Sequence, residues 1–317
     1  MNTEIAIVGT GPFGRAIISA AIDAGHRPRV WGRSETGRQC VRELFDDRVT
    51  LCESLEETCA QAGMICLAIP ASGFYDVAMA LGAWLMPDQV IVHGTRGVSE
   101  GFARSSQILR DVTCVRQIGV LGGVMFRQGN HAKLIGGMLA SRFDDVQTTV
   151  RAMFHLDAGR LHASDDVIGV ELCGVMGHVT EIALGLAEGC ALDLSSAGVL
   201  AAYGLADAAR LGVVLGARRE TFHGLAGVGE LLPRHGSASG RHRALGKQLG
   251  QGIALEDALN TIDGEVEGVM TAREAHAFAR SHGVHLPLVE AVVLALDGVD
   301  HMADVLRTVL CGELAWS

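Results

Sequence analysis

The chain has very few lysines. Of its 317 residues 26 are basic, yet only Lys133 and Lys247 are lysine and the others are arginine. Chemistry that needs a lysine side chain is therefore restricted to two positions. An excess of positive charge is lacking too, because the formal net charge is −10. This charge argues against a surface for nucleic acid or for an anionic membrane, and we expect neither as a partner.

Metal-ligand spacings and membrane-length segments are also missing. The eight cysteines form no C-x-x-C pair, and the 13 histidines form no H-x-x-x-H or H-E-x-x-H pattern, so we predict no metal site. The longest apolar run, Leu286–Leu296, is shorter than the ~20 residues that a membrane helix needs. The chain opens on a strand-like run rather than a signal peptide, and scattered cysteines suit a reducing compartment. We expect a cytoplasmic protein.

The hydrophobic pattern changes in character along the chain. Strand-like runs alternate with helix-like segments in the first half, and the predicted strands are Ile5–Val8, Arg29–Trp31, Met64–Ile69, Val90–His93 and Thr113–Ile118. This alternation is typical of β-α-β units and a parallel sheet. Later segments such as Val167–Ala187 have helical patterns only. The sequence predicts an α/β fold, with an N-terminal Rossmann parallel-sheet domain over residues 1–160 and an all-helical domain over residues 161–317.

A glycine-rich turn follows the first predicted strand. Gly9, Gly11 and Gly14 satisfy the G-x-G-x-x-G pattern between that strand and a helix. The first glycine permits the tight turn, the second lets the backbone approach a pyrophosphate, and the third lets the helix pack closely on the strand. The start of the helix then offers unpaired N–H groups to the phosphates. We predict a nicotinamide dinucleotide site here.

The end of the second predicted strand bears on the choice between NAD and NADP. NAD-specific sites place an acidic residue ~20 residues beyond the glycines to bind the ribose hydroxyls. The segment Trp31–Ser34 contains no acid, and Arg33 and Ser34 suit a 2′-phosphate. We therefore predict a preference for NADP(H). If Arg33 only stacks on the adenine, NAD(H) can bind as well.

Sequence blocks spread over nearly the whole chain carry a family resemblance. They are Gly9–Gly14, Trp31–Arg33, Ala68–Pro70, Asp166–Leu172, Arg210–Gly212, Thr221–Gly229, Val266–Val269 and Thr271-Ala272. In these blocks the chain resembles the NAD(P)-dependent glycerol-3-phosphate dehydrogenases. The resemblance implies a Rossmann domain, a helical domain for substrate binding and dimerisation, a homodimer, and reduction of dihydroxyacetone phosphate.

The resemblance also implies binding roles for individual residues. The implied cofactor contacts, beside the glycines, are Pro12, Phe13, Arg33 and Glu267. Arg241 would lie between the cofactor and a substrate phosphate, and Gly123 falls at the substrate-binding glycine of the family.

Both positions that hold lysine in the family differ in this chain. After the fourth strand the family has lysine followed by glycine, and this chain has Arg96. In the long helix the family has a lysine, which is the proton donor, followed by asparagine, and this chain has Gly177 and His178. The asparagine of a Ser-Arg-Asn-Arg segment is replaced by His242. The proton must therefore come from another group.

Histidine is suited to replace that lysine because it titrates near neutral pH. We predict His178 as the acid, with Glu230 fixing its tautomer, since Glu230 stands where the family has an aspartate near the lysine. The objection is that successive helical residues are rotated by ~100°, in which case His178 only packs in the helical domain. His242 and His93 are the competing donors.

A basic loop indicates the substrate class. Pro233–Arg243 is rich in arginine and histidine, and the resemblance puts it over the substrate phosphate. Arginine binds phosphate or carboxylate through paired N–H donors. Our predicted substrate-binding residues are Arg96, Gly123, Arg234, Arg241 and His242.

The sequence thus predicts an NAD(P)H-dependent oxidoreductase. It would transfer a hydride between nicotinamide and a small hydroxy or keto compound that carries a phosphate, phosphonate or carboxylate. The predicted catalytic residues are His178, Glu230 and Arg96. Two alternatives stay open: a glycerol-3-phosphate dehydrogenase with a repositioned acid, and a catalytically inactive NADP(H)-binding sensor.

Overall fold

A computed structural model describes residues 4–127, 133–156, 161–231 and 240–312. The strands are β1 (Ile5–Val8), β2 (Arg29–Trp31), β3 (Thr50–Leu51), β4 (Met64–Leu67), β5 (Val90–His93), β6 (Val98–Ser99), β7 (Ala103–Arg104), β8 (Ile118–Arg127), β9 (Lys133–Ala140) and β10 (Leu161–Ser164). The helices of the first half are α1 (Pro12–Asp23), α2 (Glu35–Phe45), α3 (Leu55–Cys59), α4 (Phe74–Gly82), α5 (Ser105–Val112) and α6 (Asp144–Met153). The later helices are α7 (Val167–Gly189), α8 (Leu194–Val214), α9 (Arg219–His223), α10 (Val228–Leu231), α11 (Arg241–Gly250), α12 (Leu255–Asn260), α13 (Gly268–Ser281), α14 (Pro287–Leu296) and α15 (Met302–Cys311).

The chain divides into two compact units. The first comprises Met1–Arg96 and Ala103–Glu171, and the second comprises Gly97–Phe102 and Leu172–Ser317. The division therefore falls inside α7, whereas the sequence placed a domain boundary before that helix, at residue 160. The short segment after Arg96 belongs with the helices of the second unit.

A largely parallel sheet forms the first unit. Its strand order is β10-β9-β8-β5-β4-β1-β2-β3, and the β8–β9 pair is antiparallel. The chain leaves β1 toward β2 and β3, and then returns to the other side of β1 with β4. Ligands bind at the carboxyl ends of the strands at such a reversal of strand order. The predicted fold class is confirmed.

Alternate residues of the central strands build a core on each face of the sheet. Ile5 and Ile7 of β1 are buried in a cluster with side chains from α1 and α2. Ala6 and Val8 point to the opposite face, into a cluster with side chains from α4 and α5. Helices therefore cover both faces, and the strands read as continuous apolar runs.

The predicted fifth strand at Thr113–Ile118 is wrong in position. The Thr113 hydroxyl donates to the carbonyl of Leu109 at 2.7 Å and accepts the N–H of Val115 at 3.3 Å, so a side-chain turn ends α5 here. Strand β8 begins only at Ile118. Its glycines interrupt the apolar pattern, and the sequence did not indicate its antiparallel pairing with β9.

The second unit consists of helices and the two-residue β6 within the described part of the chain. By length and composition α7 and α8 could cross a membrane, although polar residues and glycines interrupt their apolar runs. In α7, however, 94% of the most apolar window is buried inside the protein, and in α8 50%. The apolar character of α7 is that of a helix in a protein core.

Candidate active site

The glycine turn lies between β1 and β4, at the reversal of strand order. Gly9 has φ +122°, and a Cβ there would lie 2.2 Å from the carbonyl oxygen of Ala68, which follows β4. A Cβ on Gly14 would lie 2.0 Å from the carbonyl oxygen of Gly9. Gly9 and Gly14 therefore hold the turn against the sheet and the helix. Gly11 differs, since a Cβ there would meet nothing within 4 Å.

The space beside Gly11 opens onto the start of α1. Gly11 is the N-cap of α1 and has no side chain that could cap the helix. Pro12 follows it, and the first turn of the helix contains no acidic residue. The first N–H groups of α1 therefore have no capping side chain, and Gly11 and Pro12 at its start are exposed. The Phe13 ring lies against Gly94, where a Cβ would come within 2.3 Å of it. This cradle fits the pyrophosphate of a dinucleotide.

The charged side chains that follow β2 favour the binding of an anion. Arg33 is exposed and makes no hydrogen bond or ion pair with the residues that the structure describes. Ser34 caps α2 by accepting the N–H of Gly37 at 3.3 Å, and its hydroxyl proton is not used in that bond. The nearest acid, Glu35, accepts from the Arg38 guanidinium at 2.9 Å, and this bond lowers the pKa of Glu35. Glu35 is thus neutralised by a cation on its own helix.

The other predicted residues of the first unit lie at its strand ends. Arg96 follows β5 and is half-buried. Gly123 has φ +53° and lies in β8 where the register with β9 shifts between Gly122 and Met125. A positive φ at an irregularity of this kind is readily adopted by glycine, as in a β-bulge.

His93 is unsuited to donate a proton. It is fully buried, and burial lowers the pKa of its imidazole, although Glu171 with Oε1 at 3.7 Å acts in the opposite direction. The Glu171 carboxylate is also 3.5 Å from Arg104 NH1 and accepts the Ser106 hydroxyl at 2.6 Å. His93 is therefore a neutral ring beside a charge pair that is already balanced.

In the second unit the two histidines at the altered family positions are stacked on each other. The ring centroids of His178 on α7 and His242 on α11 are 3.9 Å apart and the ring planes differ by 14°. Nε2 of His242 accepts the N–H of Gly268 at 3.1 Å, and Nδ1 of His178 is 3.9 Å from Oε2 of Glu267. Both rings are buried. Three separate segments therefore meet at one point.

Glycines on both helices bring α7 and α11 into backbone contact. A Cβ on Gly185 would lie 2.1 Å from the carbonyl oxygen of Arg243, and a Cβ on Gly246 would lie 2.0 Å from that of Ile182. Gly189 and Gly250 make the same kind of contact one turn later. The histidines lie on the N-terminal side of this crossing on each helix. The sequence analysis missed the crossing, although the paired G-x-x-x-G spacing was a visible signal for it.

The remaining predicted residues of the second unit are separate cases. Arg241 is exposed at the start of α11, whose first turn contains no acid, and it makes no hydrogen bond or ion pair with described residues. Arg243 instead pairs with Glu188, with Nε 2.7 Å from Oε1. Glu230 is buried in α10. Arg234 lies outside the described residues.

Comparison with known proteins assigns the family. The N-terminal model of NAD-dependent glycerol-3-phosphate dehydrogenase matches residues 4–133, and the C-terminal model matches residues 166–307. The chain belongs to this family. It is 32% identical to the glycerol-3-phosphate dehydrogenase [NAD(P)+] of Azotobacter vinelandii, over 98% of this chain and 94% of the relative. The corresponding enzyme of Alcanivorax borkumensis is 30% identical, over 97% and 94%.

A solved structure shows the same fold. The crystal structure of glycerol-3-phosphate dehydrogenase from Coxiella burnetii superposes with a TM-score of 0.85 at 23% identity, over 98% of this chain and 99% of that one. Family membership makes the chain an NAD(P)-dependent oxidoreductase that acts on an alcohol or carbonyl group. It does so without a lysine at either position where the resemblance places one.

Proposed function

We propose that this protein interconverts a small anionic ketone or aldehyde and its alcohol, with NADP(H) as the preferred cofactor. When bound, the reduced nicotinamide would supply a hydride to the carbonyl carbon. The side chains then have two tasks, which are to hold the substrate anion and to deliver a proton to the oxygen as it becomes an alkoxide.

His178 is the proposed proton donor. An N–H bond of its imidazolium breaks as the O–H bond of the alcohol forms, and the neutral imidazole is later reprotonated from solvent. The observation that carries this proposal is the position of His178, buried against His242 with Nδ1 3.9 Å from the Glu267 carboxylate. Arg96 and Glu230 remain predicted catalytic residues. Glu267, an implied cofactor contact, is in addition a positioning residue, because its negative charge favours the imidazolium of His178.

The environment of Arg241 supports an anionic substrate. Arg241 is exposed at a helix start that lacks an acid, and no described residue pairs with it. A guanidinium at that place binds phosphate or carboxylate, and the helix dipole adds to the attraction. We infer that Arg241, with Arg96, Gly123 and Arg234, binds the substrate. His242, the fifth predicted substrate residue, is buried and accepts the Gly268 N–H with its Nε2. Because the named relatives are glycerol-3-phosphate dehydrogenases, dihydroxyacetone phosphate is the first substrate to test.

The NADP preference rests on Arg33, since its guanidinium is exposed while the neighbouring Glu35 is paired with Arg38. We further propose a cytoplasmic homodimer. The exposed apolar side chains Leu194, Val199 and Val213 on α8 support association, and light scattering during size-exclusion chromatography tests it.

Turnover measurements test the proposed reaction. NADPH oxidation is followed with dihydroxyacetone phosphate and then with a panel of carbonyl compounds that carry phosphate, phosphonate or carboxylate. We expect turnover on at least one anionic compound and none on the uncharged analogue. Tight NADPH binding without turnover on any compound would instead indicate a sensor.

A further inference from the structure

The stacked histidines differ in the bonds that their ring nitrogens make. Nε2 of His242 accepts the backbone N–H of Gly268, so this nitrogen carries no proton. A His242 ring with an acceptor Nε2 is neutral, with its proton on Nδ1. Its protonation state is therefore fixed by a backbone group that cannot itself titrate.

Electrostatic repulsion limits the charge on the pair. Two imidazolium rings whose centroids are 3.9 Å apart would repel each other strongly, because both are buried away from water. One of the two rings must accordingly stay neutral when the other is charged. Among the described contacts, His242 on α11 and Glu267 before α13 lie beside His178, and the buried Glu181 follows three residues later on α7. The Glu267 carboxylate favours a positive charge on His178.

We propose that the pair binds a single proton, that His178 carries it, and that His242 is a positioning residue. This inference rests on the proposed function, because it specifies which histidine of the site donates. His242 accepts from Gly268, presents the face of its ring to His178, and thereby fixes the orientation of the donor ring. In the transfer step the N–H bond of His178 breaks, the O–H bond of the product forms, and His242 gains and loses nothing.

Close packing makes this arrangement specific. A Cβ on Gly268 would lie 2.7 Å from Cδ2 of His242 and 3.3 Å from Cβ of His178, so only glycine lets the N–H approach the ring. The helix crossing at Gly185 and Gly246 fixes the distance between the two backbones that carry the rings. Both histidines stand where the family resemblance gives asparagine, so the two replacements form one contact.

Nuclear magnetic resonance of the full chain labelled with ¹⁵N-histidine tests the proton assignment without any turnover. His178→Gln and His242→Gln identify the signals, and the exposed His285→Gln serves as the matched control, since its side chain is 72% accessible. We expect His242 to remain neutral with an unprotonated Nε2 across the range in which His178 titrates. Titration of His242 while His178 stays neutral would overturn the proposal, and so would independent titration of both rings.

Kinetics with NADPH and dihydroxyacetone phosphate test the positioning role. His242→Gln keeps an acceptor for the Gly268 N–H but removes the stacked ring, and His242→Phe keeps a ring but removes the acceptor. We expect each to lower kcat about tenfold or more while the KM for NADPH changes less than about twofold, because a misplaced donor slows the chemical step. An unchanged kcat in both variants would contradict the role.

The resonance titration and the kinetic comparison distinguish a failure of this inference from a failure of the proposed function. If dihydroxyacetone phosphate is not turned over, the resonance titration still decides which histidine carries the proton. If the enzyme is active but His242 is the ring that titrates, the inference fails and the oxidoreductase function stands.

Discussion

The nucleotide turn of the first unit and the histidine pair of the second unit are built in different ways. The turn is a run of consecutive residues, Gly9–Gly14, whose shape follows from backbone contacts that only glycine allows. The histidine pair joins side chains from α7 and α11 with the backbone at Gly268, which are far apart in the sequence. A contiguous motif can be recognised from its spacing, whereas an assembled site depends on how helices pack.

The difference also shows where this chain has diverged. A turn made of backbone tolerates few substitutions, because any side chain at Gly9 or Gly14 would overlap a carbonyl group. The proton-transfer site is made of side chains on a helix scaffold, so residues can be exchanged while the scaffold persists. The chain accordingly has the G-x-G-x-x-G pattern, while histidine and glycine stand where the family resemblance gives asparagine and lysine.

Removing the proposed acid should show most clearly that the histidine pair and the nucleotide turn have different roles. His178→Ala is expected to lower kcat by about 10²- to 10⁴-fold, the usual contribution of a positioned acid. The dissociation constant for NADPH should stay within about twofold, since the glycine turn is untouched. Steady-state kinetics with dihydroxyacetone phosphate and a fluorescence titration of NADPH measure the two quantities. His285→Ala is the matched control, and full turnover by His178→Ala would exclude His178 as the donor.

The helix crossing should be the most sensitive part of the scaffold. In Gly246→Ala the added Cβ would lie 2.0 Å from the carbonyl oxygen of Ile182, so we expect a loss of about 1–3 kcal/mol in the free energy of unfolding. Gly198→Ala on the exposed side of α8 meets nothing within 4 Å and should stabilise the protein by up to about 1 kcal/mol. Urea unfolding measures the free energy of unfolding of both variants. Equal stabilities would mean that α7 and α11 can separate at no cost.

A second contact between distant segments should give the second unit a pH-dependent stability. The buried Asp207 on α8 accepts the N–H groups of Leu288 and Val289 at 2.8 and 3.2 Å, at the start of α14. Burial nevertheless raises the pKa of Asp207 to about 7 from an ordinary value of 3.8. Between these values the folded protein keeps a proton that the unfolded chain has released. The free energy of unfolding should therefore fall as the pH rises through this range.

Asp207→Asn removes this titration and tests it. The difference in unfolding free energy between the wild type and the variant should change by on the order of 3 kcal/mol between about pH 4.5 and pH 7.5. Urea unfolding at both pH values gives the number. Asp297→Asn is the control, because Asp297 is exposed and pairs with Arg273 at 3.1 Å. Parallel pH profiles of the wild type and Asp207→Asn would rule out the raised pKa.

The smallest expected effect concerns the cofactor preference of the first unit. Arg33→Ala should weaken NADPH binding about tenfold through loss of a charge-assisted contact, and leave NADH binding within about twofold. Titration of each dinucleotide measures both constants. Arg42→Ala serves as the control because its guanidinium donates to Gln39 on the same helix at 2.6 Å. An equal loss for both dinucleotides would show that Arg33 does not distinguish them.

Much of the first unit could be predicted because its signals are local. Strands β1, β2 and β5 coincide with apolar runs, and the glycine turn has a fixed spacing between a strand and a helix. The prediction failed at Thr113–Ile118, where a threonine turn ends α5 and the strand starts later. It also omitted β9, whose apolar pattern is interrupted by two adjacent glycines.

The sequence by itself determined the Rossmann fold, the nucleotide turn and the absence of lysine at the family positions, because each depends on neighbouring residues or on a residue's identity. Only the tertiary structure decided that His178 stacks on His242 and that the Gly268 N–H donates to the His242 ring. It also decided that the Glu267 carboxylate lies beside His178. These contacts arise where glycines let two helix backbones touch. Such an approach is a property of the packed helices, and the side chains of a single segment do not specify it.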